Sequence, residues 1–234
     1  MKKLVFDIET VGADFDRFDQ GLKEYLMNRA EKYRLEHQDE KDLEGLSLEE
    51  IAKSRMGLES VFSHIAAIGV MDADTKKGSV YYMDRSIESN SSKDDFFSYI
   101  PAAEKDILQK FWKEVAKYKQ VITFNGRRFD APFIHIRSAI LGIKPTKNLS
   151  PNRYSEEHLD LYDRLTFFGA TKGYSLDVWC RVLGIESPKQ EASGEMVRSL
   201  FDKGRFLDIA RYCSKDVLAT HELYLRWNEF IKVP

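Results

Sequence analysis

Acidic residues stand at three widely separated places where their types and spacing could support chemistry. Asp7 and Glu9 lie two residues apart in FDIET, Asp130 ends NGRRFD, and Asp216 ends YCSKD, which begins with Tyr212. Carboxylate oxygens are the ligands that hard ions such as Mg²⁺ and Mn²⁺ prefer. Carboxylates that converge on two such ions, about 4 Å apart, can support phosphodiester hydrolysis. We therefore treat these residues as a candidate metal-dependent hydrolytic site.

Each of the three motifs also has an ordinary structural interpretation. Asp7 and Glu9 could simply face water at the end of a strand. Asp130 is well placed to cap the helix that follows it, and taken alone the cap is the favoured interpretation. Tyr212 and Asp216 lie one helical turn apart, on a face that could be unremarkable helix surface. Only the combination of the three motifs, in this order, points to a site.

The first motif lies on a predicted strand at residues 3–9, where side chains alternate between two faces. Carboxylates on an otherwise apolar strand are costly unless they are paired with cations or hydrogen-bonded. One face carries Leu4, Phe6 and Ile8, and the other carries Val5, Asp7 and Glu9.

The rest of the chain predicts an α/β fold. We expect a mixed five-stranded sheet flanked by helices, with three antiparallel strands followed by two parallel strands. A charged, helix-favouring segment at about 13–60 reads as a helical insertion after strand 1. The later strands are expected at 64–71, 78–83, 121–124 and 158–162, with helices at 105–118, after Asp130, after the capping residue Ser175 and at about 205–231.

Length and composition fit one domain spanning residues 1–234. The chain has 36 basic and 38 acidic residues, a net charge of −2, so bulk charge does not indicate a partner. Cys180 and Cys213 lack metal-ligand spacing and are predicted to be buried free thiols, which suggests a reducing compartment. The sequence shows neither a signal peptide nor a membrane-spanning run, so a cytoplasmic protein is expected.

The three motifs, in this order, resemble those of the DEDD superfamily of 3′-5′ exonucleases. Tyrosine at the start of YCSKD resembles the tyrosine subclass; a histidine alternative, His37 to Asp42, precedes the second motif. The chain is most similar to bacterial predicted exonucleases related to the proofreading domain of family-B DNA polymerases, with the weakest likeness over 13–60. The resemblance is carried further by HIAAIGVMDADTKKGSVYY, HLDLYDRL, YSLDVWCRVLGI and YCSKDVLATHELYLRW.

The resemblance implies a ribonuclease H-like fold and a two-metal 3′-5′ exonuclease. The expected substrate is single-stranded nucleic acid with a free 3′ end, DNA favoured over RNA, and the expected product is a nucleoside 5′-monophosphate. Asp7, Glu9 and Asp216 would hold one Mg²⁺ or Mn²⁺ ion, and Asp7 and Asp130 would serve the second. Tyr212 would orient the attacking water rather than act as a strong base.

Other residues are weaker candidates for substrate contacts. Thr10 and Asn125 would lie beside the terminal nucleotide, while Phe129 could stack on a base or equally belong to the core. Arg127 and Arg128 could meet phosphates, although exposed basic residues often only solubilise.

Two further features have several interpretations. Asp160 could approach the site, but its default role is hydrogen bonding to a neighbouring loop. The insertion, with 12 acidic and 8 basic residues between Asp16 and Glu59, is a poor phosphate clamp. It could cover a sheet edge, limit which ends enter, meet a protein partner, or be a solvated helical pair.

Two rival functions stay open from the sequence. The chain could be a catalytically silent nucleic-acid-binding module of the same fold, or an endonuclease of the ribonuclease H-like class. All four carboxylates and the tyrosine are present, which favours the exonuclease.

Overall fold

A mixed seven-stranded sheet forms the centre of the protein in a computed structural model that describes residues 2–40, 43–84, 91–187 and 194–232. The strands are β1 (Lys3–Gly12), β2 (Ser63–Asp72), β3 (Lys77–Met83), β4 (Ser92–Lys93), β5 (Phe97–Ala102), β6 (Gln120–Thr123) and β7 (His158–Asp160). Their order across the sheet is β4-β5-β3-β2-β1-β6-β7.

The five expected strands are confirmed, with the expected directions. β1, β2 and β3 pair antiparallel, β6 joins β1 in parallel, and β7 joins β6 in parallel. The sheet has two more strands than predicted, because β4 and β5 extend it beyond β3. β4 is only two residues long and β5 contains Pro101, which is tolerated at a sheet edge but weakens a strand pattern.

The last strand is shorter than predicted. It ends at Asp160 rather than at Tyr162, because the Asp160 side chain accepts a hydrogen bond from the Tyr162 N–H and caps a short helix. The α-helices are α1 (Gln20–Glu36), α2 (Leu48–Met56), α3 (Glu104–Val115), α4 (Asp130–Ile140), α5 (Leu161–Leu165), α6 (Leu176–Leu183), α7 (Gly194–Asp202) and α8 (Phe206–Phe230).

Helices pack on both faces of the sheet because β1 and its neighbours are apolar on both sides. Leu4, Phe6 and Ile8 belong to a core shared with α3 and α4. Val5 belongs to the opposite core, which contains α7 and α8. The alternation predicted for β1 is therefore confirmed, and Asp7 and Glu9 lie on the α8 side.

The insertion forms a helical pair, α1 and α2, with a small core of its own. A capping box between Ser47 and Glu50 starts α2. The insertion is tied to the end of β1, since Thr10 Oγ1 donates to the Gly57 carbonyl at 2.6 Å. Its core is built from Phe15, Leu26, Ala30, Ile51, Ala52, Met56 and Phe62. Within the described ranges, none of the helices is long and apolar enough to cross a membrane.

Candidate active site

β1 presents the first two carboxylates of the site. Asp7 is partly exposed, whereas Glu9 is buried with 8% of its surface exposed. A carboxylate oxygen of each lies with Cys213 Sγ in a group whose members are all within 4.8 Å of one another. The pairing of β1 with β2 shifts between Glu9 and Thr10, so the pair of carboxylates stands immediately before a bulge.

The third carboxylate, Asp130, is anchored to the same strand. It is the first residue of α4, whose N-cap is Phe129, and it is 4% exposed. Its Oδ1 accepts a hydrogen bond from the Ile8 N–H at 3.1 Å. The capping interpretation of Asp130 is therefore wrong, because the carboxylate points to the peptide between Asp7 and Glu9.

The loop before Asp130 is held in place by Asp160. The Asp160 carboxylate accepts hydrogen bonds from the Asn125 N–H at 2.8 Å and the Arg127 N–H at 2.9 Å. Asn125 has φ of +61°, which is tolerated by asparagine, and a Cβ at Gly126 would lie 2.6 Å from Thr123. The loop-positioning role expected of Asp160 is confirmed.

The long helix α8 supplies the remaining two residues. Tyr212 and Asp216, one turn apart, are joined by a side-chain hydrogen bond. Cys213, on the same helix, is buried and approaches the Asp7 carbonyl at 3.6 Å. The alternative that Tyr212 and Asp216 lie on an ordinary helix surface is therefore wrong.

A glycine on β2 lets α8 come this close. Gly69 pairs directly with Asp7 in the sheet. A Cβ at Gly69 would lie 2.7 Å from Val217 Cγ2 and 3.1 Å from Cys213 Sγ, closer than side chains normally approach. The absence of a side chain on the β2 residue opposite Asp7 thus allows α8 to pack against β1.

Burial and crowding disfavour negative charge in this cluster. Burial raises the pKa of Asp7 well above its ordinary value, and the charges of Asp130, Asp216 and Glu9 add to the rise. Burial also raises the pKa of Asp130 to about 7, with contributions from Asp160 and Asp216. Carboxylates in such a cluster are stabilised as anions when cations neutralise them, so the donor set fits hard divalent ions.

Tyr212 and Cys213 respond to the same charges. Burial, followed by the charges of Asp216 and Glu9, raises the pKa of Tyr212. Burial likewise raises the pKa of the Cys213 thiol, with Asp7 the largest of the added charges. Both groups are therefore protonated at neutral pH and can act as donors.

A cleft of about 520 Å³ opens over the cluster. This volume falls in the range of small-molecule sites. Asp130, which is 4% exposed, is not among the residues that line the cleft. The lining residues that the sequence had offered as functional candidates are Asp7, Glu9, Asn125, Tyr212 and Asp216, and the other lining residues are Ile8, Phe124, Tyr162, Gly173, Tyr174, Ser175, Leu176 and Val197.

The other candidate substrate residues lie outside the cleft lining and differ in their contacts. Thr10 is bonded to the insertion, and Phe129 packs against Phe133 at 5.3 Å between ring centroids, which favours the core interpretation. The Arg127 guanidinium is bonded to the Pro151 carbonyl and only 13% exposed, which favours a structural role. Arg128 is exposed and lies over the Tyr162 ring at 5.2 Å.

Sequence reasoning missed Gly69, Gly173, Tyr162 and Tyr174. A glycine inside the apolar run HIAAIGVM was a signal for close backbone approach, because glycine weakens a strand unless a neighbour needs the space. Tyr162, Gly173 and Tyr174 had no such signal, since only the fold brings the segments after β7 next to β1 and α8.

Comparison with known proteins agrees with this arrangement. Residues 55–232 match a family described as a predicted 3′-5′ exonuclease related to the exonuclease domain of PolB. The match includes Asp130, Tyr212 and Asp216 and begins after Asp7 and Glu9.

The individual relatives are much longer proteins. The chain is 29% identical to a DNA polymerase of Desulfurococcus sp. (strain Tok) over 140 residues, which cover 52% of this chain and 18% of the polymerase. It is also 29% identical to a DNA polymerase of Thermococcus gorgonarius over 143 residues, covering 53% and 18%.

The fold is shared with a solved polymerase structure. The family B DNA polymerase from the hyperthermophilic archaeon Pyrobaculum calidifontis superimposes with a TM-score of 0.60 and 14% identity, covering 97% of this chain and 24% of the polymerase. The expected ribonuclease H-like fold is confirmed. The chain spans less than a quarter of each of these three polymerases.

Proposed function

Because this chain belongs to the family of predicted 3′-5′ exonucleases related to the exonuclease domain of PolB, we propose that it is a divalent-metal-dependent exonuclease. It removes nucleotides one at a time from the 3′ end of a single strand and releases nucleoside 5′-monophosphates. The observation that supports this most is that Asp7, Glu9, Tyr212 and Asp216 line one cleft, while Asp130 is bonded to β1 between Asp7 and Glu9.

The carboxylates would hold two Mg²⁺ or Mn²⁺ ions. Asp7, Glu9 and Asp216 would hold one ion, and Asp7 with Asp130 would serve the other. When bound, the ions would supply positive charge to the attacked phosphate and make the attacking water more acidic. The residues fit this role because the pKa of Asp7 and that of Asp130 are raised by burial and by mutual repulsion, which cations relieve.

Tyr212 would position the attacking water. Its raised pKa keeps the phenol protonated at neutral pH, so it cannot accept a proton as a general base. Its hydroxyl is already oriented by the hydrogen bond with Asp216. A water that contacts both groups would be held by the hydroxyl beside the carboxylates.

The substrate contacts follow from the cleft lining. Asn125 lines the cleft, and its backbone is fixed by Asp160, so its amide would lie beside the terminal nucleotide. Thr10 and Phe129 would act on that nucleotide indirectly, through the shape of the site. Arg128 would meet a phosphate, and Arg127 would support the loop that carries it.

DNA is favoured over RNA because the relatives are DNA polymerases. The insertion at 13–60 is attached next to Glu9 through Thr10, where it would limit access to the cleft or meet a protein partner. We propose that the chain acts as one domain in the cytoplasm.

A 5′-labelled single strand tests the proposal. With Mn²⁺ we expect a ladder of products shortened stepwise from the 3′ end, with nucleoside 5′-monophosphates released. Internal fragments without a ladder would indicate the endonuclease, and strand binding without any product would indicate the silent module. An RNA strand of the same sequence, assayed in parallel, tests the sugar preference.

Asp216→Asn tests the site, and Asp208→Asn is its matched control because both residues lie on α8. Asp216 lines the cleft, whereas Asp208 forms a surface ion pair with Arg205. The first substitution should remove the ladder and the second should leave it intact. Equal ladders from both variants would show that the hydrolysis belongs to a contaminant or to another site.

A further inference from the structure

The cleft has an aromatic side that none of the three acidic motifs accounts for. Phe124, Tyr162 and Tyr174 all line it, in the same cavity as the carboxylates. Phe124 and Tyr162 meet edge to face at 5.9 Å between centroids. Tyr174 is different, because 45% of its surface is exposed although it is a large, mostly apolar side chain.

The loop that carries Tyr174 packs closely against Tyr162. A Cβ at Gly173 would overlap Tyr162 Oη, so only glycine permits this approach without displacing the ring. On its other side the Tyr174 ring meets Trp179 edge to face at 6.0 Å. Tyr174 is thus held in a fixed orientation while its ring stays open to the cleft.

A basic side chain lies over the ring of each of the two tyrosines. Arg128 lies 5.2 Å from the Tyr162 ring centroid, and Lys172 Nζ lies 5.8 Å from that of Tyr174. Aromatic rings together with cations are the pattern by which proteins bind single strands, with bases stacking on the rings and phosphates meeting the cations. A protein or lipid surface has no unpaired bases to stack on the rings, so this combination of rings and cations favours a single strand.

We propose that Tyr174 is a base-stacking residue for the single-stranded substrate, held in place by the contact of Gly173 with Tyr162. This inference rests on the proposed function and specifies how that site binds its strand. Stacking uses the face of an unpaired base and is tolerant of base identity. The cleft therefore selects unpaired 3′ ends and shows little preference among bases.

Kinetics with four variants test the proposal. Loss of one stacked base corresponds to a rise in KM of about tenfold. We expect this rise for Tyr174→Ala and Tyr174→Leu on a single-stranded oligodeoxynucleotide, with kcat nearly unchanged. Tyr174→Phe should behave as wild type, because stacking needs the ring and not the hydroxyl. Tyr154→Ala is the matched control, since Tyr154 is 67% exposed and lies outside the cleft lining.

Fluorescence separates this inference from the proposed function. An oligodeoxynucleotide with 2-aminopurine at its 3′ terminus is added to protein carrying Asp7→Asn, so that hydrolysis is slow during the measurement. Stacking should quench the probe, and adding Tyr174→Ala should abolish the quenching. Gly173→Ala, which displaces Tyr162 while keeping every ring, should weaken it.

The two hypotheses can fail independently. A wild-type protein that makes the ladder, with a Tyr174→Ala variant unchanged in KM and quenching, would overturn the stacking role alone. A protein that never hydrolyses the strand but quenches the probe through Tyr174 would retain the stacking role and overturn the exonuclease.

Discussion

Asp7 lies in an environment that disfavours its ionised form. It stands on a strand whose neighbours are buried, and its pKa is raised by burial and by Asp130, Asp216 and Glu9. Its ionised form is therefore unfavourable in the metal-free protein. A residue kept at such a cost is expected to serve function rather than stability.

Replacing Asp7 should separate activity from stability. We expect Asp7→Asn, and likewise Asp216→Ala, to lower turnover on the order of 1,000-fold, because a cation ligand worth several kcal/mol is lost. In metal-free buffer at pH 8 the Tm of Asp7→Asn should equal or exceed that of wild type, since the unfavourable ionised form of Asp7 is no longer possible. Rates on the labelled strand and thermal scans check this, and a large fall in Tm would make Asp7 structural.

Tyr212 should affect rate without affecting metal binding. Its hydroxyl is bonded to Asp216, and its raised pKa makes it a donor. We expect Tyr212→Phe to lower kcat roughly tenfold or more, because a positioned hydrogen bond to the attacking water is lost. The Mn²⁺ concentration that half-saturates the rise in Tm should be unchanged. An unaltered kcat would remove Tyr212 from the mechanism.

At the level of elements, the site depends on how closely α8 packs on the sheet. α8 carries Tyr212 and Asp216, whereas Asp7 lies on β1. The spacing between them is set by Gly69 on β2, whose missing side chain makes room for Val217 and Cys213. A single methyl group at this position should therefore move catalytic side chains that it does not touch.

Gly69→Ala tests this dependence. The added Cβ would lie 2.7 Å from Val217 Cγ2, so the Val217 side chain or α8 must shift. We expect a loss of about 1–3 kcal/mol in the free energy of unfolding from overpacking, together with a lower kcat. The double variant Gly69→Ala/Val217→Ala should recover part of both, with Val217→Ala alone as the control. Denaturant unfolding and steady-state rates measure the effects, and full activity in Gly69→Ala would show that α8 tolerates the shift.

For the whole molecule, the acidic cluster makes the free energy of unfolding depend on pH and on bound divalent ions. Folded protein retains protons on Asp7 and Asp130 that the unfolded chain has released. The free energy of unfolding should therefore fall as pH rises from the unfolded value of 3.8 toward the folded pKa of Asp130, about 7. Divalent ions bind the deprotonated cluster, so the increase in Tm on adding Mn²⁺ should be larger at pH 8 than at pH 6.

The control for this prediction is the double variant Asp7→Asn/Asp130→Asn. His158 contributes an opposite slope, because burial lowers its pKa to about 4 and protonation destabilises the fold as pH falls from 6.5. Thermal scans of wild type and variant, with EDTA or Mn²⁺, isolate the carboxylates. An equal increase in Tm at both pH values would indicate that Mn²⁺ does not bind this cluster.

The sequence by itself determined the elements that local pattern specifies. Alternation in β1 predicted that Asp7 and Glu9 share a face, because successive side chains of a strand point to opposite sides. Hydrophobic periodicity predicted five of the seven strands and the long helix α8. The order of the three motifs was sufficient for the family resemblance, since it requires no knowledge of distance.

Only the tertiary structure decided what the local pattern left open. Locally the cap on α4 was the favoured interpretation of Asp130, and the choice was made instead by the Ile8 N–H, which lies 122 positions away in the chain. Tyr174 had no local signal, because its exposure to the cleft depends on the packing of Gly173 against Tyr162. Contacts between distant segments are set by the packing of the whole sheet and its helices, and one segment's sequence carries too little information to specify them.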